Sequence, residues 1–375
     1  MSTTPTSPRS VLLAGGGTAG HVSPLLALAD CLRRRDPEVA ILAVGTEQGL
    51  ESRLVPARGY ELATIPKVPL PRRPSGDLLR LPGAMRRAVA RAGELVESSG
   101  AEVVVGFGGY VSTPVYLAAR RRGVPVVVHE QNARAGVANR VGARMTRHVG
   151  ITFPQTELAH ATVTGMPLRR EIADLDRAAR RAEGRAHLGL HPDLPTVLVT
   201  GGSLGAKRLN DAFAASVADL GAAGVQVLHV TGRDKDFEPV GAVPGVPYVV
   251  VPYLDRMDLA YAAADVAVCR SGANTVCELT AVGLPGLYVP LPIGNGEQRL
   301  NATGVVAAGG GTLTEDSEVT PAWVRDVVVP LLGDRDRVAT MSLAASAVGE
   351  RDGDELLADL VGRALVAARG AGEGA

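Results

Sequence analysis

Residues 11–24 read VLLAGGGTAGHVSP, an apolar run that passes through three glycines into a helical pattern. A short strand entering a helix through a glycine-rich turn is typical of the first βα unit of a nucleotide-binding sheet. Gly15, Gly17 and Gly20 formally satisfy G-x-G-x-x-G, which favours a phosphate-bearing ligand near the helix start. This stretch therefore predicts a parallel α/β fold.

Short β-branched runs and helical patterns alternate along the rest of the chain, as in βαβ units. The predicted strands are 11–14, 40–44, 61–65, 103–105, 126–129, 149–152 and 162–163, then 196–200, 225–230, 248–251, 266–269, 286–289 and 311–313. Helical patterns between them include 24–35, 207–220, 275–281 and 355–368. Each half of the chain therefore has strands for a sheet of its own.

We predict an α/β protein of two doubly wound, Rossmann-like parallel-sheet domains that face each other across a cleft. A strand ends at Gly165, and a charged, alanine-rich helical stretch follows over 169–188. The first domain is therefore placed at 1–165 and the second at 166–350. Residues 351–375 are expected to form a helix, of unassigned domain, and a disordered tail from residue 370.

Composition excludes several classes of protein. Lys and Arg balance Asp and Glu at 39 each, so no overall charge favours nucleic acid. Cys31, Cys269 and Cys277 lack C-x-x-C spacing, which indicates a reducing compartment without a disulfide framework or zinc site. The first residues lack the apolar core of a signal peptide, and no apolar run has the length of a membrane span. We expect a cytoplasmic protein.

The first glycine-rich loop allows two interpretations. A dinucleotide site needs an acid at the end of the second strand, where only Glu47 is near and comes late, so the glycines could simply make a tight turn. His21 follows the loop, where the helix dipole disfavours an imidazolium. A neutral imidazole is what a general base requires. His21 is therefore a candidate catalytic base, the alternative being a capping or packing histidine.

Two loops of the second half carry the same kind of signal. Residues 201–206 read GGSLGA, and Ser203 adds a hydroxyl donor or a plain helix cap. Residues 269–278 read CRSGANTVCE and open a helix whose free N–H groups suit a diphosphate. Glu278 would accept hydrogen bonds from ribose hydroxyls, or merely favour the helix dipole. Gln298 and Asn301 could bind sugar hydroxyls or lie at the surface.

Two further features concern metal and membrane. The D-x-D pairs at Asp174, Asp234 and Asp334 lie in unrelated charged stretches, so we expect no dedicated metal site. Residues 67–91 hold seven basic residues and one acid among leucines, which suits an anionic membrane surface or a solvated helix packed by its apolar side. Four prolines in this segment predict an irregular loop.

Taken in order, eight segments closely resemble the MurG family, the peptidoglycan N-acetylglucosaminyltransferases that convert lipid I to lipid II. They are GGGTAGHVSP (15–24), GFGGYVS (106–112), HEQNA (129–133), GMPLRREI (165–172), GGSLGA (201–206), PYLDRM (252–257), CRSGANTVCE (269–278) and EQRLNA (297–302). The resemblance implies the GT-B fold, with the acceptor lipid on the first domain and UDP-N-acetylglucosamine mainly on the second.

The resemblance also implies the reaction and the site. An inverting displacement by the acceptor C4 hydroxyl would need no cofactor or fixed metal, because helix N-terminal amides stabilise the departing UDP. His21 would be the base, with Glu130 left open as an alternative. The implied donor-binding residues are Thr18, Ala19, Gly20, Asn132, Arg169, Ser203, Leu254, Ala273, Asn274, Thr275, Val276, Cys277, Glu278 and Gln298. The implied setting is the cytoplasmic face of the cell membrane, as a peripheral protein with cell-wall synthesis and division proteins as partners.

The chain departs from the family pattern at four positions: Ala19 replaces a common glycine, Leu204 a glutamine, Asn274 a leucine and Cys277 a serine. Leu204 removes a polar contact, so no role is assigned to it. Three rival interpretations follow from the same residues: a UDP-N-acetylglucosamine 2-epimerase, a nicotinamide enzyme, and a non-catalytic nucleotide-sugar-binding subunit. The epimerase would leave the basic segment at 67–91 without a role.

Overall fold

A computed structural model describes residues 7–68, 77–202, 205–233, 235–293 and 295–372. The chain divides into two compact units, one of Met1–Arg169 with Arg351–Ala375 and one of Arg170–Glu350. The sequence placed this boundary after residue 165. Among the described residues no helix is long and apolar enough to cross a membrane.

The first unit is built on a seven-stranded parallel sheet, which confirms the predicted fold class for this half of the chain. Its strands are β1 Ser10–Ala14, β2 Ala40–Gly45, β3 Glu61–Thr64, β4 Val103–Gly106, β5 Val126–Glu130, β6 His148–Ile151 and β7 Ala161–Val163. Its helices are α1 Ala19–Arg35, α2 Glu51–Ala57, α3 Asp77–Ser98, α4 Ser112–Arg121 and α5 Val137–Ala143, with α16 Gly353–Gly372 added from the end of the chain. The strand order β3-β2-β1-β4-β5-β6-β7 reverses direction between β1 and β4.

The second unit has a six-stranded parallel sheet in the order β10-β9-β8-β11-β12-β13. Its strands are β8 Thr196–Thr200, β9 Gln226–Val230, β10 Tyr248–Val251, β11 Val266–Cys269, β12 Gly286–Tyr288 and β13 Gly311–Leu313. Its helices are α6 Arg170–Ala173, α7 Arg177–His187, α8 Lys207–Ala214, α9 Val217–Ala222, α10 Met257–Ala263, α11 Ala273–Ala281, α12 Glu297–Ala307, α13 Pro321–Trp323, α14 Val329–Gly333 and α15 Arg335–Ala347, with a 3-10 turn at Asp316–Glu318 and a π-helical turn at Val324–Val328.

The central strands are buried on both faces, which explains their continuous apolar runs. Val11, Leu12 and Leu13 are all fully buried, with Leu12 packed on one side of the sheet and Val11 and Leu13 on the other. The same holds for β8, whose five residues are all buried. All thirteen predicted strands are present, with ends that differ by a residue or two.

Three helix predictions need correction. Helix α1 begins at Ala19 rather than residue 24, because Pro24 removes only one intrahelical hydrogen bond and is tolerated inside it. The predicted helix at 207–220 is two helices that break at Ala215. Residues 77–91, predicted as irregular, belong to the 22-residue helix α3 with Pro82 inside it. Residues 69–76 lie outside the described part of the chain.

The C-terminal helix α16, which the sequence did not assign, packs on the first unit. Leu357 and Val361 are fully buried and join the apolar cluster between α1 and the sheet. Arg34 donates to the buried Asp354 carboxylate at 2.7 Å, and Arg35 pairs with Glu355. The helix runs to Gly372, beyond the predicted start of a disordered tail, and residues 373–375 lie outside the described part.

Candidate active site

In each unit the predicted site residues follow the carboxyl ends of parallel strands, where open α/β sheets bind ligands. In the first unit, the glycine-rich loop follows β1 and residues 107–110 follow β4, the two strands that flank the reversal of strand order. In the second unit, residues 201–206 follow β8 and residues 270–278 follow β11, again flanking the reversal.

His21 lies in the first turn of α1, where its ring is held by the loop that precedes it. Its Nδ1 lies 3.1 Å from the Gly16 carbonyl oxygen and 3.3 Å from Thr18 Oγ1. Because a carbonyl oxygen can only accept, the Gly16 contact assigns the proton to Nδ1. The lone pair is then on Nε2, which has no hydrogen-bond partner in the part of the chain that the structure describes.

Burial lowers the pKa of His21 below its usual value of 6.5. The negative charges of Glu130 and Glu51 and the Gly16 hydrogen bond oppose this shift without reversing it. The imidazole is therefore neutral at pH 7. The sequence attributed this neutrality to the helix dipole, whereas in the structure desolvation is the largest cause.

Two glycines after β4 allow the loop to lie against the His21 ring. Gly108 and Gly109 have φ angles of +95° and +79°, which residues with side chains rarely adopt. A Cβ on Gly108 would lie 3.2 Å from His21 Nε2, and one on Gly109 would lie 2.7 Å from the Gly16 carbonyl oxygen. Residues 108–109 thus form one wall of the histidine site.

A buried carboxylate, Glu51, lies behind the glycine-rich loop. It is 0% exposed and accepts hydrogen bonds from the Gly17 N–H at 2.8 Å and from the Thr46 N–H and hydroxyl at 2.8 and 2.9 Å. A Cβ on Gly16, Gly45 or Gly49 would overlap this side chain. The Gly17 N–H is therefore occupied by a protein carboxylate, which disfavours the dinucleotide interpretation of the loop.

Glu130, the alternative base, is fully engaged in the structure. Its carboxylate accepts hydrogen bonds from the Asn132 N–H, the Gly136 N–H and Asn139 Nδ2, each at 2.9 Å. Tyr116 donates in turn to Asn139 Oδ1. These contacts explain Glu130 as a structural acceptor that fixes the Asn132 loop.

The first unit thus brings Thr18, Ala19, Gly20 and His21 together in one turn, with Asn132 held after β5 by Glu130. Arg169 is the last residue before the chain enters the second unit, and it directly precedes α6. Ser203 and Leu204 lie outside the described residues.

In the second unit, residues 273–278 form the first turns of α11, behind the N-cap Gly272. The hydroxyl of Ser271 is buried beside this helix start and has no hydrogen-bond partner among the residues the structure describes. Asn301 of α12 donates to the Ser271 carbonyl at 3.2 Å. Helix starts with free N–H groups are anion-binding sites, so this loop suits a diphosphate.

Glu278 and Gln298 are each held by a neighbour. The Tyr261 hydroxyl donates to Glu278 Oε2 at 2.6 Å, and the Tyr261 ring is buried in α10. The Leu291 N–H donates to Gln298 Oε1 at 3.0 Å, which fixes the amide so that its NH₂ group faces away from that contact. Leu254 follows β10, at the edge of the sheet formed by the carboxyl ends of the strands, where residues 270–278 follow β11.

The acidic pairs that resemble metal motifs serve other roles. Asp176 and Asp334 cap helices α7 and α15 by accepting from backbone N–H groups, and Asp234 lies outside the described residues. Within the described part of the chain, one cluster has the spacing of metal ligands: Cys31, Asp354 and Glu355. Its two carboxylates are already paired with Arg34 and Arg35, so the cluster joins α1 to α16.

The described part of the basic segment at 67–91 presents charge outward. Arg86, Arg87 and Arg91 are exposed on α3, whereas Ala88 and Val89 are buried, Val89 in the core cluster that includes the strands. The Lys67 ammonium lies 5.7 Å from the centre of the Tyr110 ring, in the loop after β4. The basic surface therefore reaches the same edge of the sheet as His21.

Comparison with known proteins gives the family. The model of the glycosyltransferase family 28 N-terminal domain matches residues 11–151, and that of the family 28 C-terminal domain matches residues 196–357. The chain belongs to glycosyltransferase family 28. A relative from Streptomyces avermitilis, 57% identical over 95% of this chain and 99% of its own, is named UDP-N-acetylglucosamine--N-acetylmuramyl-(pentapeptide) pyrophosphoryl-undecaprenol N-acetylglucosamine transferase.

Solved structures agree with membership of family 28. The crystal structure of MurG from Acinetobacter baumannii is 28% identical, with a TM-score of 0.77 over 95% of this chain and all of that one. A putative UDP-N-acetylglucosamine 2-epimerase from Listeria monocytogenes is 14% identical, with a TM-score of 0.62 over 92% of this chain and 94% of that one. The epimerase shares the fold alone, so identity in sequence favours the transferase.

Sequence reasoning missed two residues that support the candidate site. Glu51 is an acid behind the glycine-rich loop. It is the first residue of α2 and lies four residues after Glu47, the acid that was compared with the dinucleotide motif. Asn139 donates to Glu130 and lies close to Gly108, where an added Cβ would be 3.2 Å from Asn139 Nδ2. Three glycines that clear space for one side chain were the available signal for Glu51.

Proposed function

We propose that the chain is an inverting N-acetylglucosaminyltransferase that uses UDP-N-acetylglucosamine and lipid I. The acceptor C4 hydroxyl would attack the anomeric carbon, forming the β-glycosidic bond as the bond to UDP breaks. The product is lipid II, and UDP leaves with the electron pair. The names of relatives at about 57% identity over nearly the whole chain support this reaction.

The observation that carries the mechanism is the His21 geometry. With Nδ1–H directed to the Gly16 carbonyl, Nε2 accepts the proton of the C4 hydroxyl as the new bond forms. Glu130 spends its lone pairs on backbone and amide donors, which leaves it as a positioning group for Asn132. His21 is the catalytic residue of this proposal.

The proposed donor site uses the residues carried over by resemblance. The helix start of α11 behind Gly272 and the buried Ser271 hydroxyl support a diphosphate there, and Glu278 would accept from the ribose. Thr18, Ala19 and Gly20 would face the donor sugar, and Asn132 and Arg169 would contact the donor. Ser203 would lie near its diphosphate. Leu254 would bind uracil by its backbone and Gln298 the sugar hydroxyls.

The proposed setting is the cytoplasmic face of the cell membrane. Exposed Arg86, Arg87 and Arg91 on α3 support a peripheral contact of the first unit with anionic lipid, near the edge where the lipid acceptor would enter. Cell-wall synthesis and division proteins are the proposed partners.

The test is UDP release from UDP-N-acetylglucosamine, with and without a short-chain lipid I analogue, for the wild type and His21→Ala. Acceptor-dependent release with a disaccharide-lipid product, reduced about 10²- to 10⁴-fold in kcat by His21→Ala, is expected. Glu130→Gln is the control for the alternative base. UDP release without acceptor, together with free N-acetylmannosamine, would show that the protein is an epimerase. Near-normal turnover of His21→Ala would show that His21 is not the catalytic base.

A further inference from the structure

One peptide group, between Gly16 and Gly17, joins Glu51 to His21. Its N–H, from Gly17, donates to Glu51 Oε2 at 2.8 Å, and its C=O, from Gly16, lies 3.1 Å from His21 Nδ1. The described chain has no cis peptide bond, so these two groups point in opposite directions from one plane. The carboxylate and the imidazole are therefore held on opposite sides of the same rigid unit.

We propose that Glu51 is a positioning residue that acts on His21 through this peptide, as a carboxylate–peptide–imidazole relay. The inference rests on the proposed role of His21 as the base. The negative carboxylate polarises the peptide, which makes the Gly16 oxygen a stronger acceptor for the Nδ1 proton. A fixed Nδ1–H tautomer keeps the lone pair on Nε2, where the acceptor proton must arrive.

The surroundings of Glu51 fit a dedicated position rather than a chance contact. The side chain is completely buried, and its second oxygen is satisfied by the Thr46 N–H and hydroxyl. Gly16 lies in the loop after β1, Gly45 ends β2 and Gly49 lies in the loop after β2, and a Cβ on any of them would overlap it. Gly17, at φ +89°, takes a conformation that lets its N–H turn toward the carboxylate.

Glutamine at this position preserves the shape and breaks the relay. A carboxylate accepts at both oxygens, whereas an amide offers one oxygen and one NH₂ group. Either Gly17 or Thr46 would then have its backbone N–H facing another donor. The loop must shift, and the Gly16 carbonyl moves relative to the ring. Glu51→Asp keeps the charge but is one methylene shorter, so it loses the contact with Gly17.

The experiment measures the His21 tautomer and the kinetics of the full chain. Nitrogen-15 shifts of labelled histidine rings distinguish the two tautomers, and the His21 signals are identified by their loss in His21→Gln. The wild type is expected to show a single Nδ1–H tautomer near pH 7.5. Glu51→Gln should show a mixture of tautomers, with kcat about 10- to 100-fold lower. KM for UDP-N-acetylglucosamine is expected to rise as well, because Thr18, Ala19 and Gly20 belong to the loop that shifts, so the tautomer mixture is the readout specific to the relay.

Asp354→Asn is the matched control, because Asp354 is also a completely buried carboxylate of the first unit but contacts α1 far from the loop. It should lower the melting temperature while leaving the tautomer and kcat as in the wild type. If Glu51→Gln does not fold, Glu51→Asp is measured in its place, with tautomer mixing again expected.

A single Nδ1–H tautomer in Glu51→Gln, or in Glu51→Asp where Glu51→Gln does not fold, would overturn the relay, as would an equal loss of kcat in Asp354→Asn. The ring spectra need no substrate, so they test the relay even if His21→Ala shows that His21 is not the base.

Discussion

Replacing Tyr261 with phenylalanine tests whether Glu278 holds the ribose of the donor. The Tyr261 hydroxyl donates to Glu278 Oε2 at 2.6 Å, from a ring that is only 2% exposed. Phenylalanine keeps the ring and its packing and removes one hydrogen bond to a carboxylate. Such bonds contribute about 1.5–3 kcal/mol, and because Glu278 is half-buried, water compensates part of this loss.

The expected loss in donor binding is therefore about 1.4 kcal/mol, which corresponds to a tenfold higher Kd for UDP. Titration calorimetry with UDP, 2′-deoxy-UDP and 3′-deoxy-UDP measures it. If the Glu278 carboxylate accepts from one ribose hydroxyl, the analogue without that hydroxyl should bind the wild type and Tyr261→Phe equally weakly. The other analogue should retain the tenfold difference.

Tyr288→Phe is the control, since Tyr288 is a fully buried tyrosine of the same unit whose hydroxyl has no hydrogen-bond partner among the described residues. It should bind UDP as the wild type does, with unchanged or higher stability because an unsatisfied buried hydroxyl is removed. A Tyr261→Phe variant that weakens UDP and both deoxy analogues by the same factor would refute the ribose role of Glu278.

Three further predictions follow from the same contacts. Because burial lowers the pKa of His21 below 6.5 and the base must be neutral, kcat/KM should stay near its maximum at pH 7 and fall only below pH 6.5; an acid limb centred above pH 6.5 would contradict this. Asp354→Ala leaves Arg34 without its buried partner, and because Arg34 is 39% exposed the unfolding free energy should fall by about 1–3 kcal/mol in denaturant titration; no change would mean that the pair does not hold α16. Burial lowers the pKa of His129 to about 4 and that of His229 to about 3. At a pH between these values and 6.5, both histidines are neutral in the folded protein and each binds a proton when the chain unfolds. Stability should therefore fall as pH drops from 7 to 5, by about 2 kcal/mol for each histidine, and His129→Gln should have a shallower pH dependence of melting temperature than the wild type.

The sheets could be predicted from sequence because their signal is local. Runs such as 103–105 and 126–128 are continuous valine, and strands buried on both faces require such runs. The start of α1 could not be placed in this way. Its N-cap, Thr18, makes no side-chain capping bond, so the strongest local signal was Pro24, which lies five residues inside the helix.

The candidate site was predictable in its loops and not in its supporting contacts. His21 and Glu278 stand in motifs whose spacing is visible along the chain. Their partners come from elsewhere: Glu51 is 34 residues from Gly17, and Tyr261 is 17 residues from Glu278. Each contact depends on how two loops or helices meet, which no local pattern encodes. The one local trace, glycines at 16, 45 and 49, has meaning only when the side chain they accommodate is known.

The return of α16 to the first unit has a consequence for the synthesis of the chain on the ribosome. All of the second unit, residues 170–350, is translated before the helix that completes the core of the first. Until then the α1 face beside Leu357 and Val361 is uncovered, and the nascent first unit is open to chaperones and proteases. A premature stop codon near residue 350 would therefore harm the unit that was made first.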